Sequence, residues 1–320
     1  MAILVTGAAG FIGSHFVERL LAERPDARIV ALDDFNAYYD PALKRQNAAG
    51  IAGSERVTLV EGSFGDARLV EDVMTRHEVR AIVHLGGYAG VRASVSMPLA
   101  YAEANVQGTL VLLEAARLHP VERFVLASSS TVYGAGCDVP FREDAPLGVP
   151  LSPYGASKRA AEIFAEYYTR MQGVPAVWLR PFSVYGPRMR PDLAMHVFAS
   201  AITAGRPIPL FGDGSYQRDF THVSDVCAGL LSAMTAEGVV GQAINLGHHK
   251  PVAVAELVRL LEDALGRQAN IDRKPAFAGD MPVTCADLSK AERLLGYRPR
   301  VTISEGVRDF VAWFRGQSTG

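Results

Sequence analysis

Two residues four apart near the middle of the chain could move a proton to and from a substrate hydroxyl. Tyr154 and Lys158 follow Ser152 and Pro153, a pair typical of a helix N-cap and first turn, so we expect both side chains on one helix face. A lysine ammonium beside a phenol favours the phenolate. Because tyrosine ordinarily titrates near pH ~10, such help would make Tyr154 a useful base at neutral pH. The spacing alone also fits an ordinary helix, so the prediction depends on its surroundings.

A run of hydroxyl side chains lies upstream of this pair. Ser128-Ser129-Ser130-Thr131 follows the apolar segment 123–127, which we expect to be a buried strand. In parallel α/β sheets, ligands bind at the carboxyl ends of the strands, so a hydroxyl here could orient a substrate alcohol. A serine cluster after a strand is otherwise a polar turn.

A glycine-rich turn opens the chain. Gly7, Gly10 and Gly13 follow a predicted strand and begin a predicted helix, so the turn could approach a pyrophosphate and present free N–H groups to it. Asp33 ends the second predicted strand, 20 residues after Gly13. A carboxylate there accepts hydrogen bonds from ribose hydroxyls and repels a 2′-phosphate, so the two features together predict NAD rather than NADP.

Strand and helix patterns alternate through the first half of the chain, which predicts an α/β fold with a Rossmann-type doubly wound parallel sheet. The predicted strands are Ala2–Thr6, Arg28–Leu32, Val57–Val60, Ala81–Leu85, Arg123–Ala127 and Ala176–Arg180. The predicted helices are Ile12–Glu23, Arg68–Arg76, Leu99–Leu118, Pro153–Met171, Val223–Thr235, Val254–Leu265, Ser289–Leu295 and Ser304–Phe314.

The pattern changes after residue 180, where Pro and Gly become frequent. We therefore predict an NAD-binding domain over 1–180 and a smaller, interleaved, substrate-binding α/β cap over 181–320. The apolar segment Gln242–Leu246 is predicted to return to the main sheet as a further strand.

Composition excludes several classes of protein. The formal net charge is −2, with 32 basic and 34 acidic residues, so no basic excess supports nucleic-acid binding. Three cysteines without a CxxC pair predict a reducing, cytoplasmic setting. We expect no signal peptide, no membrane span and no metal site, because the histidines lack ligand spacing with carboxylates or thiols.

These motifs resemble the extended short-chain dehydrogenase/reductase family, and within it the NAD-dependent nucleotide-sugar 4-epimerases, most of all the UDP-glucuronate 4-epimerases. The similarity covers nearly the whole chain, from TGAAGFIG at Thr6–Gly13 through YGASK at Tyr154–Lys158 to LLGY at Leu294–Tyr297. It includes the segments Asp33–Pro41, Arg180–Asp192 and Gln217–Val223.

The resemblance implies a role for each matching residue. Tyr154 would be the acid/base, Lys158 its partner on the nicotinamide ribose and Ser129 the catalytic hydroxyl. The implied cofactor-binding residues, beside Tyr154 and Lys158, are Gly7, Gly10, Phe11, Ile12, Gly13, Asp33, Asp34, Asn36 and Leu85. The implied substrate-binding residues are Arg92, Ser130, Thr131, Ser183, Arg190, Phe211, Arg218 and Asp280. The resemblance also implies a UDP-sugar substrate and a homodimer formed through the helices Leu99–Leu118 and Pro153–Met171.

Three positions depart from the family pattern. Tyr88 stands in a stretch where relatives commonly have a small pair followed by Gln, so we expect it to reshape the sugar pocket. Ser63 replaces an Asp near the adenine, which predicts a weaker grip on the cofactor. Phe277 replaces the phosphate-binding Arg of many UDP-galactose 4-epimerases, which favours a uronate or another sugar.

Other activities of the family stay open to different degrees. The chain lacks the Asp-Glu pair of sugar 4,6-dehydratases and the Glu of nucleotide-sugar decarboxylases in the Ser130-Thr131 loop, which disfavours both. A UDP-glucose or UDP-N-acetylglucosamine 4-epimerase remains an alternative, since Thr284 is small at the expected pocket gate. A 4-ketosugar reductase also remains an alternative. A non-catalytic NAD-binding regulator is disfavoured by the intact Tyr154 and Lys158.

Overall fold

The computed structural model describes residues 1–275 and 281–317. Its strands are β1 (Ala2–Thr6), β2 (Arg28–Asp33), β3 (Val57–Glu61), β4 (Val79–His84), β5 (Arg123–Ala127), β6 (Ala176–Pro181), β7 (Ser183–Tyr185), β8 (Pro207–Phe211), β9 (Gln217–Arg218), β10 (Phe220–His222), β11 (Ala243–Leu246), β12 (Val252–Ala253) and β13 (Asn270–Lys274). Its α-helices are α1 (Phe11–Glu23), α2 (Pro41–Ala52), α3 (Ala67–His77), α4 (Val91–Ser96), α5 (Pro98–Ala102), α6 (Gly108–Leu118), α7 (Pro153–Gln172), α8 (Ala194–Thr203), α9 (Val223–Thr235), α10 (Val254–Leu265), α11 (Ser289–Leu295) and α12 (Ile303–Gln317).

The central sheet is parallel and has the order β3-β2-β1-β4-β5-β6-β11. All five residues of β1 are buried, as expected for an apolar strand that helices cover on both faces. The strand order reverses between β1 and β4, which opens a crevice at their carboxyl ends. This is the doubly wound Rossmann-type architecture that the sequence predicts.

Two apolar cores lie on the two faces of the sheet. One includes Val5, Phe16 and Leu179 and continues into the cap, whereas the other includes Leu112 and Trp178. Because alternate residues of a strand point to opposite faces, neighbours such as Trp178 and Leu179 belong to different cores. The sheet is therefore held rigidly from both sides, and its carboxyl edge is a fixed platform for the site.

The cap is built from short paired strands and from helices. The pairs are β7 with β10, β9 with β12 and β8 with β13, while α10 packs against α8 and α12. The chain then returns to the main sheet, where β11 pairs with β6 as predicted for Gln242–Leu246. None of the helices in the two described ranges is long and apolar enough to cross a bilayer.

The predicted helix Leu99–Leu118 is present but interrupted. A π-helical turn spans Glu103–Gln107 between α5 and α6. Within this turn the side chain of Asn105 accepts a hydrogen bond from Tyr88 N at 2.8 Å and donates one to Tyr88 O at 2.9 Å. A single-turn π-bulge of this kind is often found at functional sites, and here it anchors the loop after β4.

Several elements lie outside the sequence-based prediction. The helices α2, α4 and α8 and the short cap strands were not predicted. Helix α2 begins with Asp40 as its N-cap and Pro41 at its first position, a start signal that is visible in the sequence. The cap strands are two to five residues long and pair across the chain, so local patterns carry little information about them.

Candidate active site

The glycine-rich turn lies where β1 meets the carboxyl end of β4. Gly7 has a φ of 66°, and a Cβ there would lie 2.8 Å from the Cα of Gly86. A Cβ on Gly13 would collide with the carbonyl oxygen of Gly7. Glycine is therefore required at both positions for the turn to pack closely against the sheet. No side chain in the described chain caps the N-terminus of α1 at Gly10, so this end is open to an anion.

A cleft runs from this turn across the end of the sheet. The predicted cofactor residues that line it are Gly7, Gly10, Phe11, Ile12, Gly13, Asp33, Asp34, Asn36 and Leu85. The structure thus brings together all the predicted cofactor residues other than Tyr154 and Lys158, which lie on the neighbouring helix α7. Their roles in binding stay predictions that this placement supports.

Asp33 is buried at the end of β2, with both carboxylate oxygens in use. One accepts a hydrogen bond from Ala9 N at 3.0 Å and the other from Phe35 N at 2.9 Å. Each oxygen keeps a further lone pair that could accept from a ribose hydroxyl. Burial raises the pKa of Asp33, and the two backbone hydrogen bonds and the charge of Lys44 oppose that shift.

Lys44 on α2 is a cleft residue that the sequence analysis missed. Its ammonium donates to Asn36 Oδ1 at 3.0 Å, and Asn36 in turn donates to Asp34. Burial lowers the pKa of Lys44, and the charges of Asp33 and Asp34 oppose the shift. The buried cation therefore fixes the turn that carries the predicted ribose-binding side chains.

His84 joins the two strands that flank the crevice. Thr6 donates to His84 Nδ1 at 2.7 Å, while Thr109 Oγ1 donates to Asn105 O and so accepts from His84 Nε2 at 3.0 Å. This pattern assigns the proton to Nε2. Burial, with the charge of Lys158, lowers the pKa of His84 to about 3, so the ring is neutral. Through its hydrogen bonds to Thr6 and Thr109, the ring holds the carboxyl end of β4 in place.

The predicted catalytic hydroxyl belongs to Ser129, directly after β5. Its oxygen accepts from Thr131 N at 3.2 Å and from Thr131 Oγ1 at 2.9 Å. Both acceptor positions are thereby filled, so the hydroxyl proton of Ser129 is left to donate. Burial raises the pKa of Tyr154, whereas the Ser129 hydrogen bond and the positive charge of Arg190 lower it.

Lys158 lies one helical turn after Tyr154 and is buried. Its ammonium donates to Ala127 O at 2.9 Å, at the carboxyl end of β5. Burial lowers the pKa of Lys158 to about 8, and the negative charge of Glu162 opposes that shift. Ser129, Tyr154 and Lys158 therefore meet at one edge of the sheet, as the sequence predicts. Together they can move a proton on and off a substrate alcohol.

The predicted substrate residues fall into two groups. Ser130, Thr131 and Ser183 lie with partly exposed side chains around the carboxyl ends of β5 and β6. Arg92 and Phe211 come together further out, where the guanidinium carbon lies 4.3 Å from the ring centroid. Two predicted residues from distant parts of the chain thus form one cation–π pair.

Arg218 lies on β9 and contacts Met281. Its guanidinium donates to Gln217 O and Met281 O, each at 2.8 Å. Thr284, the predicted pocket gate, accepts a hydrogen bond from Asp219 N at 3.3 Å. Asp280 and Phe277, which the sequence analysis also singled out, lie outside the described residues.

Arg190 lies in the wall of the cofactor cleft. It forms an ion pair with Asp192 at 2.8 Å and donates to Ala89 O at 2.9 Å, with its guanidinium over the ring of Tyr38. The sequence analysis expected it to contact the substrate, and that role stays a prediction. In the structure its charge also acts on Tyr154.

Four further aromatic residues line the cleft, namely Tyr38, Tyr39, Phe64 and Tyr88, and the rings of Tyr38 and Tyr88 lie 5.0 Å apart. A role, in shaping the sugar pocket, was predicted from the sequence for Tyr88 but not for the other three. The pair Tyr38-Tyr39 falls in the segment after β2 whose family resemblance was noted, so a signal for it existed. Ser63 is exposed and accepts from Gly65 N at 3.1 Å, which leaves its predicted effect on the cofactor untested.

The residues of the cleft fit a dinucleotide. The glycine turn admits a close backbone approach, the uncapped end of α1 suits a pyrophosphate and Asp33 suits a ribose. Gly87 also lines the cleft, and a Cβ built on it would lie 3.6 Å from Lys158 Nζ, so a nicotinamide held at this point would lie beside the catalytic side chains.

Comparisons with known proteins agree with this arrangement. Residues 3–247 match the model of the NAD dependent epimerase/dehydratase family. A protein of Methanocaldococcus jannaschii described as uncharacterized is 41% identical over 98% of this chain and 95% of its own length. UDP-glucuronate 4-epimerase of Thermodesulfobacterium geofontis is 36% identical over 97% of this chain and 95% of its own length. UDP-glucuronic acid 4-epimerase from Bacillus cereus, solved with UDP-glucuronic acid and NAD, is 32% identical, with a TM-score of 0.94 over 99% of this chain and 100% of that one.

Proposed function

Because this chain belongs to the NAD-dependent epimerase/dehydratase family, we propose that it is an NAD-dependent 4-epimerase of a UDP-sugar that converts UDP-glucuronate to UDP-galacturonate. The observation that carries the proposal is the meeting of Ser129, Tyr154 and Lys158 beside the dinucleotide cleft. Relatives with this activity cover nearly the full length of the chain, which supports the choice of reaction and of substrate.

The chemistry is assigned to this chain's own residues as follows. Tyr154 accepts the proton of the C4 hydroxyl as C4 is oxidised, and it returns that proton when the 4-keto sugar is reduced on its other face. Ser129 donates a hydrogen bond to the reacting oxygen, since its acceptor positions are filled by Thr131. NAD supplies the hydride acceptor and the hydride donor, so no net cofactor is consumed.

Substrate recognition is assigned to side chains around this centre. Arg218 holds the diphosphate, which lets the sugar end turn between the two hydride transfers. Ser130 and Thr131 face the C5 carboxylate. Ser130 is the hydroxyl that donates to it, because the hydroxyl proton of Thr131 is donated to Ser129. The partial exposure of these hydroxyl side chains at the end of β5 supports that assignment.

We also propose a homodimer. Large apolar side chains are exposed on α4, α5 and α7, which contact one another. They include Leu99, 83% exposed, and the stripe Ile163, Tyr167 and Met171 at four-residue spacing on α7. A stripe of this kind on a helix suits burial against the same helix of a second copy.

The proposed reaction is tested by a turnover assay with no added NAD. UDP-glucuronate, UDP-glucose and UDP-N-acetylglucosamine are incubated separately with the purified protein, and the sugar C4 proton is followed by NMR. We expect a galacto-configured product from UDP-glucuronate, and a loss of about 100-fold or more in Tyr154→Phe with its bound NAD retained. No product from any of the three, even after NAD is supplied, would overturn the proposal.

A further inference from the structure

A buried group of charges lies directly behind the catalytic residues. Glu162, one helical turn after Lys158 on α7, accepts a hydrogen bond from Ser128 Oγ at 2.5 Å. The same carboxylate accepts two hydrogen bonds from Arg180 on β6, at 2.9 and 2.7 Å. The three residues are 4 to 5% exposed. Glu162 and Arg180 therefore form a buried ion pair. Charges held away from solvent interact more strongly than charges at the surface.

Glu162 and Lys158 fasten the same short segment at two neighbouring points. Lys158 donates to the carbonyl of Ala127, and Glu162 holds the side chain of Ser128. Ser129 is the next residue along the chain. Lys158 and Glu162 of α7 thus bind the two residues immediately before Ser129. The position of the Ser129 hydroxyl therefore depends on both hydrogen bonds.

The charge of Glu162 also reaches Lys158. Lys158 can assist a phenolate only while it is protonated, and burial lowers its pKa to about 8. Glu162 is the charged neighbour, among the described residues, that opposes this shift. In the part of the chain that the structure describes, the charge of Lys158 also acts on His84 of β4, whose ring is neutral, and Tyr154 lies one helical turn before Lys158 on α7.

We propose that Glu162 is a positioning residue that keeps Lys158 protonated and, through Ser128, holds Ser129 in place for the reaction of Tyr154. This inference rests on the proposed function for its consequence in turnover. Its electrostatic part concerns Lys158 and is measurable without any substrate. Arg180 is the buried counter-ion of the Glu162 carboxylate.

A cavity of about 350 Å³ lies behind the Glu162–Arg180 pair, and Glu143, Glu166 and Lys290 also line it. Because the cavity is polar, we expect the folded protein to tolerate Glu162→Gln, which preserves shape and removes the charge. Glu166→Gln is the matched control. Glu166 lies on the same helix and cavity wall, but its partner is the exposed Arg170 at 2.8 Å.

The first experiment titrates the ammonium group of Lys158 in the NAD-containing protein by NMR of its isotope-labelled side chain, with Lys158→Arg used to assign the signal. We expect Glu162→Gln to lower the pH at which Lys158 loses its proton by about one unit or more, because the opposing negative charge is removed. Glu166→Gln leaves the titration unchanged. An unchanged titration in folded Glu162→Gln would overturn the electrostatic role, whether or not the protein turns over any UDP-sugar.

The second experiment separates charge from position. With UDP-glucuronate, Glu162→Gln is expected to lower kcat about tenfold or more near neutral pH, with KM nearly unchanged, and to move the alkaline limb of the kcat profile to lower pH. Ser128→Ala keeps the charge of Glu162, so it lowers kcat with no change in the titration of Lys158. A purely structural role would instead lower stability without moving either pH profile.

A third variant covers the case in which Glu162→Gln does not fold. The double variant Glu162→Gln/Arg180→Met removes both buried charges, so no cation is left unpaired. The titration of Lys158 in this variant is expected to shift in the same direction, since Glu162 is the neighbour that acts on Lys158. A titration like that of the unchanged protein would contradict the proposal.

Discussion

At the scale of the residue, the direction of each hydrogen bond decides what a catalytic group can do. Ser129 accepts twice from Thr131, so it approaches a substrate oxygen as a donor. The His84 ring is neutral and held from both sides, so it takes no part in proton transfer. Tyr154 is left as the group whose protonation state can change during the proposed reaction.

The glycine turn gives a residue-scale prediction. Gly13→Ala places a methyl group against the carbonyl oxygen of Gly7, and that contact is backbone, so it cannot move aside cheaply. We expect the purified variant to have lost most of its bound NAD while keeping its helical content. The absorbance ratio of protein to nucleotide, together with circular dichroism, measures both.

Gly53→Ala serves as the control for that variant. It follows α2 with a φ of −72°, and nothing lies within 4 Å of the added Cβ. It should keep its NAD. If Gly13→Ala retained NAD equally well, the turn would not be the pyrophosphate site.

The glycines, Asp33, Tyr154 and Lys158 were predictable because each occurs in a motif whose spacing is local. Lys44 was not, because its role depends on α2 folding back toward β2. Glu162 shares the helix of Lys158, but its partner Ser128 follows β5 and its partner Arg180 lies on β6. The functional importance of such a side chain appears only after the strands are placed side by side.

At the scale of the element, the loop after β7 connects the cap to helix α1. Arg188, with a φ of 62°, places its guanidinium 2.6 Å from each carboxylate oxygen of Glu18 on α1. It also contacts His15 Nδ1 at 2.7 Å. Burial and the charge of Arg188 lower the pKa of His15 to about 4, so the neutral ring accepts this hydrogen bond. The loop thus holds Arg190 over the cleft.

Removing this connection should loosen the cleft. We expect Arg188→Met to lower the free energy of unfolding by about 2 kcal/mol, the typical value of hydrogen bonds to charged groups. Bound NAD should also exchange faster, because the loop carrying Arg190 forms part of the cleft wall. Denaturant unfolding and the exchange of bound NAD for free nucleotide measure the two effects.

Arg259→Met is the matched control, since Arg259 pairs with Asp263 on the exposed face of α10 at 3.7 Å. A surface pair of this kind contributes little to stability. Equal exchange rates in the two variants would show that the loop does not govern retention of the cofactor.

The strands of the main sheet and the helices α9 to α12 were predictable from local patterns, whereas the short strands of the cap were not. A buried parallel strand such as β1 is a continuous apolar run and is recognisable alone. By contrast, β9 and β12 are two residues each and exist because they pair with one another. The π-turn at Glu103–Gln107 depends on the contact of Asn105 with Tyr88, which no helical periodicity shows.

At the scale of the whole molecule, the two parts of the chain are interleaved through β11, and the site lies where they meet. The predicted boundary at residue 180 and the cytoplasmic location stay predictions. The proposed homodimer is testable through its most exposed residue. Leu99→Lys should shift the protein toward the monomer in analytical ultracentrifugation, because a charge would be buried at the helix interface.

Leu59→Lys is the control for that measurement, since Leu59 is 38% exposed on the edge strand β3, away from α5 and α7. It should sediment like the unchanged protein. A protein that is monomeric before any substitution would rule out the dimer.

In the proposed reaction, C4 loses a hydride to a retained cofactor and receives the same hydride back. This return is tested with UDP-glucuronate that carries deuterium at C4, in ordinary water and with no added NAD. We expect UDP-galacturonate that keeps its deuterium at C4, because the hydride never leaves the site. A product carrying hydrogen at C4, or loss of the carboxyl group as carbon dioxide in place of epimerisation, would contradict the proposed reaction.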